Sequence, residues 1–300
     1  MTLPFYKLQI AGNGFILFDL LPLPESLKAK SALHPDNRNT IARRICDRRF
    51  GVGASGCMFL EKDNTLTFYS AQGIPAGNSD DSLLCAARYA FDSGRSNGQK
   101  ILFKDGKQNT MRVDILGAND FRISCGAPFS LLKETVITPE SKDVNEVIES
   151  GGLECAYGAV HLHENVIVAS PGNRGFFSFQ DFAVLVHKAF PKKKVLPVIA
   201  TPVTENTVLV KSNPKGMSGA CSTAAAALCV SCCAGTTEFE SMVMFEQRGD
   251  DGLPDNMLAK DTDSSRRIAV YWDYKEKERN EIYVSGSGAY VFEGKFDIPE

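Results

Sequence analysis

Apolar and polar residues alternate on both sides of Ala11-Gly-Asn-Gly14, which predicts a strand pair over residues 1–21 closed by an Asn-Gly turn. Residues 22–36 carry prolines without a period and predict an irregular connection. Ile41 and Ile45 sit at helical spacing among arginines, so residues 37–49 predict a helix, and Cys57-Met-Phe-Leu60 predicts a strand. Alternation returns over residues 97–123, in Ile101-Leu-Phe, Met111-Arg-Val-Asp-Ile and Phe121-Arg-Ile, then over 160–169 and 195–210. Residues 134–152 are polar and predict a strand edge plus loop. Residues 179–190 predict a helix with Phe182, Val186 and Phe190 on one side. An Asp-, Gly- and Asn-rich stretch over 246–265 predicts a long exposed loop. Residues 266–272 and 281–284 predict paired strands, and Ala289-Tyr-Val-Phe292 a last one.

Two stretches share one order. Residues 66–91 and 210–235 each run from a β-rich segment through a Gly/Pro loop and small polar residues into an Ala-rich helix. Ser70 precedes Ser79 by nine positions, and Ser212 precedes Cys221 by nine. One such unit in each half predicts an α+β chain of two similar domains, with the two helix N-termini as candidate walls of one site. The crossing between domains is expected near Cys125-Gly-Ala-Pro128. Cys221-Ser222-Thr223 falls at a helix start, where unpaired amides and the macrodipole favour a thiolate and attract an anion. The plainer alternative is that Cys221 is a small buried residue of an Ala/Cys helix.

Composition narrows the partners. At 43% hydrophobic, 300 residues suffice for two cores, and a net charge of −3 gives no basic footprint for nucleic acid or an anionic membrane surface. A small-molecule substrate or ligand, or a protein, is the expected partner. The apolar run over residues 15–21 is short and interrupted by Asp19, so neither a signal peptide nor a membrane span is expected. Nine cysteines without a disulfide spacing fit reduced thiols and a cytoplasmic location.

Several motifs carry less than their letters suggest. Gly51-Val-Gly-Ala-Ser-Gly56 matches a dinucleotide fingerprint, but a helix precedes it and a strand follows, the reverse of what a pyrophosphate cradle requires. Cys229-Val-Ser-Cys232-Cys233 has no second pair at zinc spacing and reads as a packed helix face. His161 and His163 alternate on a predicted strand and should face opposite ways, and Lys192-Lys-Lys194 reads as a solvated turn.

Lys7-Leu-Gln-Ile-Ala-Gly-Asn-Gly-Phe15, Cys46-Asp-Arg-Arg-Phe-Gly-Val-Gly53, the segment from Ser70 to Tyr89, Ala220-Cys-Ser-Thr223 and Ser285-Gly-Ser-Gly-Ala-Tyr-Val-Phe-Glu-Gly294 occur in one order almost end to end. Together they resemble the diaminopimelate epimerase family of cofactor-independent amino-acid racemases and epimerases. The resemblance implies two pseudo-symmetric domains, residues 1–127 plus 286–300 and residues 128–285. Each would be a curled mixed sheet around a central helix, with the active-site cleft between them. It implies no cofactor, an amino-acid substrate, lysine biosynthesis as the setting, and a possible homodimer. One cysteine at each central helix would handle the α-proton on opposite faces of the substrate.

The resemblance carries Cys221 over as the surviving base and puts Ser79 in place of its partner, because Ser79-Asp-Asp-Ser82 stands where the family has Cys-Gly-Asn-Gly. A serine hydroxyl returns a proton more readily than it takes one. Asp80 and Asp81 are good capping residues that would partly cancel the field meant for a substrate carboxylate. Asn13 is the retained polar ligand. Ser222 and Thr223 stand beside Cys221 at the start of the second central helix, while Ser212 and Asn213 replace a Glu-Arg pair. Ala159 and Pro197 fall where asparagines are expected, and His161 matches the motif histidine. Cys85 is a lesser candidate for the missing sulfur. Three readings stay open: an isomerase or lyase acting through Cys221, a silent paralogue that binds a ligand or protein, and a genuine diaminopimelate epimerase.

Overall fold

A computed structural model of the chain describes residues 2–28, 33–96, 98–141, 145–150, 153–170, 178–212, 219–245, 267–274 and 279–298. The expected loop over 246–265 and the candidate Asn213 lie outside the described residues. The chain divides into two compact units, Met1–Ile123 with Gly286–Glu300, and Ser124–Ser285. The class is α+β, dominated by strands.

The first unit begins with a hairpin of β1 (Thr2–Ile10) and β2 (Asn13–Asp19). Its turn is Ala11-Gly12, at φ of 47° and 81°, with Ile10 paired to Asn13, and not the Asn-Gly turn expected from the letters. Two consecutive left-handed residues make the turn that matches strand twist, and they leave Asn13 as the first residue of a strand. Short helices α1 (Glu25–Lys28) and α2 (Arg38–Ile45) lead to β3 (Gly56–Leu60), β4 (Leu66–Ser70) and β5 (Pro75–Ala76). The helix α3 (Asp80–Asp92) follows, then β6 (Lys100–Lys104), β7 (Thr110–Gly117) and β8 (Asp120–Ser124). The last strand, β19 (Ala289–Asp297), returns to pair antiparallel with β1.

The sheet order is β19-β1-β2-β3-β4-β5. Strand period two sorts β2 into two faces. Ile16 and Phe18 join Leu3, Phe5, Cys57 and Phe59, with Ile41 and Ile45 of α2, in one core. Phe18 and Phe59 stack there with centroids 5.3 Å apart, a pairing worth about 0.5–1.5 kcal/mol beyond area burial. Asn13, Phe15, Leu17 and Asp19 fall on the opposite face, toward α3. Both polar members bond that helix, Asn13 to Asp81 and Asp19 to Tyr89. Helix α3 also packs on β1, β6 and β7, which explains burial of all but a few of its residues.

The second unit repeats the idea with a larger sheet. Strands β9 (Phe129–Ser130), β10 (Thr135–Val136), β11 (Asn145–Ser150), β12 (Leu153–His161) and β13 (Asn165–Ser170) come before α4 (Phe179–Ala189). After it come β14 (Leu196–Thr204), β15 (Thr207–Lys211), α5 (Ala220–Cys233), β16 (Glu240–Phe245), β17 (Arg267–Asp273) and β18 (Glu281–Gly286). Within this unit the order is β10-β9-β12-β13-β14-β15-β16-β17-β18, with β11 on β12. The run over 160–169 is thus two strands broken at Leu162, His163 and Glu164, and not the single strand its alternation suggests. Both arms of the hairpin keep the apolar period, so the break shows only in three letters.

Helix α5 packs against every strand from β12 to β17. Its residues from Ala220 to Ser231 are all buried, and a helix without a polar stripe must be enclosed on all sides. Alanines let that many strands come close. Helix α4 covers the outside, placing Phe182 and Val186 against Cys155, Tyr157, Ala159 and Ile167.

Candidate functional site

Each unit brings part of the expected chemistry to the N-terminus of its central helix. In the first, Ser79 is the cap of α3, extended at φ −80° and ψ 158°, and its Oγ accepts the Ser82 amide at 3.2 Å. Ser82 Oγ donates back to the Ser79 carbonyl at 2.7 Å. The Ser79 hydroxyl oxygen is therefore occupied as a helix cap. Asp80 and Asp81 are 7% and 0% exposed in the first turn, where carboxylates suit the positive end of the helix.

Asn13 reaches this turn from the start of β2. Its Nδ2 donates to Asp81 Oδ2 at 2.7 Å inside the protein. Asn13 is 2% exposed, and its Oδ1 has no hydrogen-bond partner among the described residues. A turn at Asn13-Gly14 would have removed this contact, because Asn13 would then sit in the loop tip instead of opening β2.

Cys85 lies farther along α3, fully buried. Burial, and then the nearby Asp81 charge, push its thiol well above the usual range. A side chain at Gly288 would put its Cβ 2.7 Å from the Cys85 Cα, so the residue leading into the final strand packs closely on this part of the helix.

In the second unit α5 opens from Gly219, which is left-handed at φ 73°. Cys221, Ser222 and Thr223 occupy the first turn and are 0%, 2% and 2% exposed. Ser212 is half-buried just after β15. His161 does not join them through any bond of its ring. It is exposed at the end of β12, with Nδ1 2.8 Å from Asn165 Oδ1. Asn165 Nδ2 in turn donates to the Lys194 carbonyl at 3.1 Å.

A residue absent from the sequence reading lies at this tip. A Cβ on Gly219 would run into Glu164 Oε2 and would lie 3.0 Å from Leu196 Cδ1. Glu164 comes from the β12–β13 turn and lays its carboxylate against the residue that opens α5. Lys194, exposed, holds its Nζ 3.9 Å from Glu164 Oε1. His163 and Glu164 interrupt the apolar run and mark a turn, but nothing local says where its glutamate goes.

The thiols farther along α5 are packing groups. Burial pushes Cys232 up to about 11, and its Sγ donates to the Glu238 carbonyl at 3.2 Å. Cys233 is held low by its hydrogen bond to Cys229, which burial raises. Among the described residues no group of three or more His, Cys, Asp or Glu could hold a metal ion. No described helix is long and apolar enough to cross a membrane.

No family model matches the chain. It is 24% identical to a diaminopimelate epimerase of Aquifex aeolicus over 301 aligned residues, covering 97% of this chain and 96% of that one. A diaminopimelate epimerase of Carboxydothermus hydrogenoformans is 25% identical over 234, covering 75% and 82%. Among solved structures, a phenazine biosynthesis protein of the PhzF family from Bacillus anthracis superimposes with a TM-score of 0.59 at 14% identity, over 99% of this chain and 100% of that one. A hydroxyproline epimerase from Agrobacterium vitis, solved with trans-4-hydroxy-L-proline bound, gives 0.55 at 9% identity over 98% and 92%. These structural likenesses concern the fold.

Proposed function

We propose a function from one premise, that the chain belongs with the diaminopimelate-epimerase-like proteins in sequence and in fold. It is a cofactor-independent isomerase or lyase that moves a proton at the α-carbon of a small amine-bearing molecule. Cys221 is the base and Ser79 the hydroxyl that returns a proton. In the isomerase case the reaction is redox-neutral, since one proton leaves carbon for sulfur and another comes back from oxygen. The observation that carries this reading is the position of Cys221, second residue of a long buried helix, where amide dipoles favour negative charge on sulfur. Ser79, held as a cap with no base bonded to it among the described residues, suits the donor role better than the abstracting one.

The test is deuterium uptake from D₂O at the α-carbon across a panel of amino acids and amino-acid amides, followed by mass spectrometry. Uptake should be present in the wild type and lost in Cys221→Ala. Equal uptake by both proteins, or none by the wild type, removes the catalytic reading.

A second reading, a ligand-binding protein without catalysis, is favoured by Glu164. Its carboxylate lies against Gly219, two positions before Cys221, and a negative charge there opposes a thiolate. Ligand binding that survives Cys221→Ala without exchange supports it. Diaminopimelate epimerisation is the third reading, and rescue of an epimerase-deficient strain tests it.

A further inference from the structure

The net charge of −3 hides an uneven distribution, because Arg43-Arg-Ile-Cys-Asp-Arg-Arg-Phe50 holds four arginines against one aspartate. Burial sorts this run. Ile45 and Cys46 enter the core of the first unit, while Arg43, Arg44, Arg48 and Arg49 are exposed. Phe50, beside them, is 91% exposed. Arg38, Arg88, Arg95, Arg112 and Arg122 each pair with a carboxylate, whereas these four make no such pair among the described residues.

The local fold keeps them together. After α2 the chain turns back on the helix end: the Gly51 amide donates to the Asp47 carbonyl at 3.1 Å, and the Val52 and Gly53 amides donate to the Ile45 carbonyl at 2.8 and 3.0 Å. A Cβ on Gly51 would run into the Arg44 carbonyl oxygen, so only glycine closes this turn so tightly. Asp47 Oδ1 accepts the Arg49 and Phe50 amides at 2.7 and 2.8 Å, which fixes the shape of the turn and offsets one positive charge of the four. The glycines that mimic a dinucleotide fingerprint thus hold two pairs of arginines and a phenylalanine around one helix end. On the flank, a Cβ on Gly73 would lie 3.2 Å from Arg43 Cβ, and the next residue, Ile74, is 61% exposed.

A guanidinium offers a planar fork that fits a carboxylate or a phosphate. Single exposed ion pairs are weak and screened by salt, so this cluster selects an anion that meets several forks at once. Phe50 and Ile74 add an apolar demand that a small anion cannot meet. A polypeptide meets both with an apolar side chain set among acids. An anionic bilayer or a nucleic acid extends well past the cluster, where it faces the net negative rest of the chain.

We propose that the end of α2 and the turn after it form a docking surface for an acidic segment of a partner protein, with an apolar side chain of that segment seated on Phe50. The surface belongs to the first unit alone and uses neither Cys221 nor Ser79, so it stands or falls apart from the proposed reaction.

Fluorescence anisotropy on the full chain tests this with a rhodamine-labelled peptide in which glutamates flank a central Trp-Leu pair. Two further peptides carry alanines in place of the pair, or lysines in place of the glutamates. The first peptide should bind, and raising salt from about 50 to about 300 mM should weaken it about tenfold. The alanine peptide should bind severalfold more weakly, and the lysine peptide should not bind. Arg44→Glu and Arg49→Glu should each weaken the first peptide about tenfold, and Phe50→Ser severalfold. Arg279→Glu, the same charge change at an exposed arginine elsewhere, should leave it unchanged. All four positions are exposed, and circular dichroism confirms that each variant is folded. The proposal is overturned if the first peptide fails to bind, if the lysine peptide binds as well, if Arg279→Glu costs as much as Arg44→Glu and Arg49→Glu, or if Phe50→Ser and the alanine peptide change nothing. Tighter binding to a DNA duplex or to phosphatidylserine vesicles than to the peptide, lost in the same arginine variants, would also overturn it and give the surface to that polyanion.

Discussion

Replacing Gly219 by alanine tests the Glu164 contact directly. Two separate penalties are expected. A left-handed backbone costs a non-glycine residue about 1–2 kcal/mol, and the φ of 73° imposes that cost whatever surrounds it. The new Cβ also collides with Glu164 Oε2, forcing the carboxylate away from the helix tip. A negative group at a helix N-terminus is worth about 0.3–1 kcal/mol when exposed and up to about 2 when partly buried. Gly219→Ala should therefore cost roughly 2–4 kcal/mol, and Glu164→Ala roughly 0.5–2. The double variant should cost less than the sum, because with Glu164 already removed the new Cβ meets no carboxylate and adds only the backbone penalty. Urea unfolding of the four proteins, followed by circular dichroism, closes the cycle. A coupling of about 1–2 kcal/mol is expected, against the roughly 0.3–0.5 kcal/mol scatter of independent sites. Additive costs would refute the placement of Glu164 at the tip.

Two further outcomes follow from groups already described. Ser79→Ala should lower stability by about 1 kcal/mol through loss of the helix cap, while Ser79→Asp, which can still cap, should keep most of it in the same urea assay. Stability should also fall at high pH. The Cys46 thiol is pushed by burial from 9.0 to about 12, so between those values the unfolded chain releases a proton that the folded one keeps. Unfolding is then favoured by about 1.4 kcal/mol per pH unit, starting near the unfolded value and ending near the folded one. Cys57, Cys85 and Cys229 are raised by burial and act in the same direction. Lys7, lowered from 10.5 by burial, opposes them as pH rises toward its ordinary value. Denaturant midpoints from pH 8 to 11 should fall monotonically in the wild type and less steeply in Cys46→Ala; a flat profile would contradict the burial argument.

What the letters reveal depends on how far apart the interacting groups lie. Local chemistry marks the tip of α3, because a serine before two aspartates and an alanine-rich run caps a helix by contacts within one turn. Likewise Phe182, Val186 and Phe190 disclose α4 by spacing alone, and a helix before Gly51 with a strand after Gly56 dismisses the dinucleotide fingerprint. The hairpin at Ala11-Gly12 misleads because Asn-Gly is the commoner turn pair, and what displaces it is a buried bond from Asn13 to a residue 68 positions away. Glu164 is similarly hidden. Its turn interrupts an alternation that resumes with the same period, and its carboxylate acts on a glycine far along the chain. The residues that set the character of both helix tips are thus the ones whose partners are distant in sequence.

The enclosure of α5 has a consequence for how its unit assembles. A helix with no outward face gains little by forming early, because its alanines find their neighbours only when strands from Leu153 to Asp273 have gathered around it. Loop closure over such separations precedes the reward, so this unit belongs with slow, non-local folders. Once closed, the same wrapping leaves the middle of α5 no local route to solvent, and its amides open only when the surrounding strands come apart together.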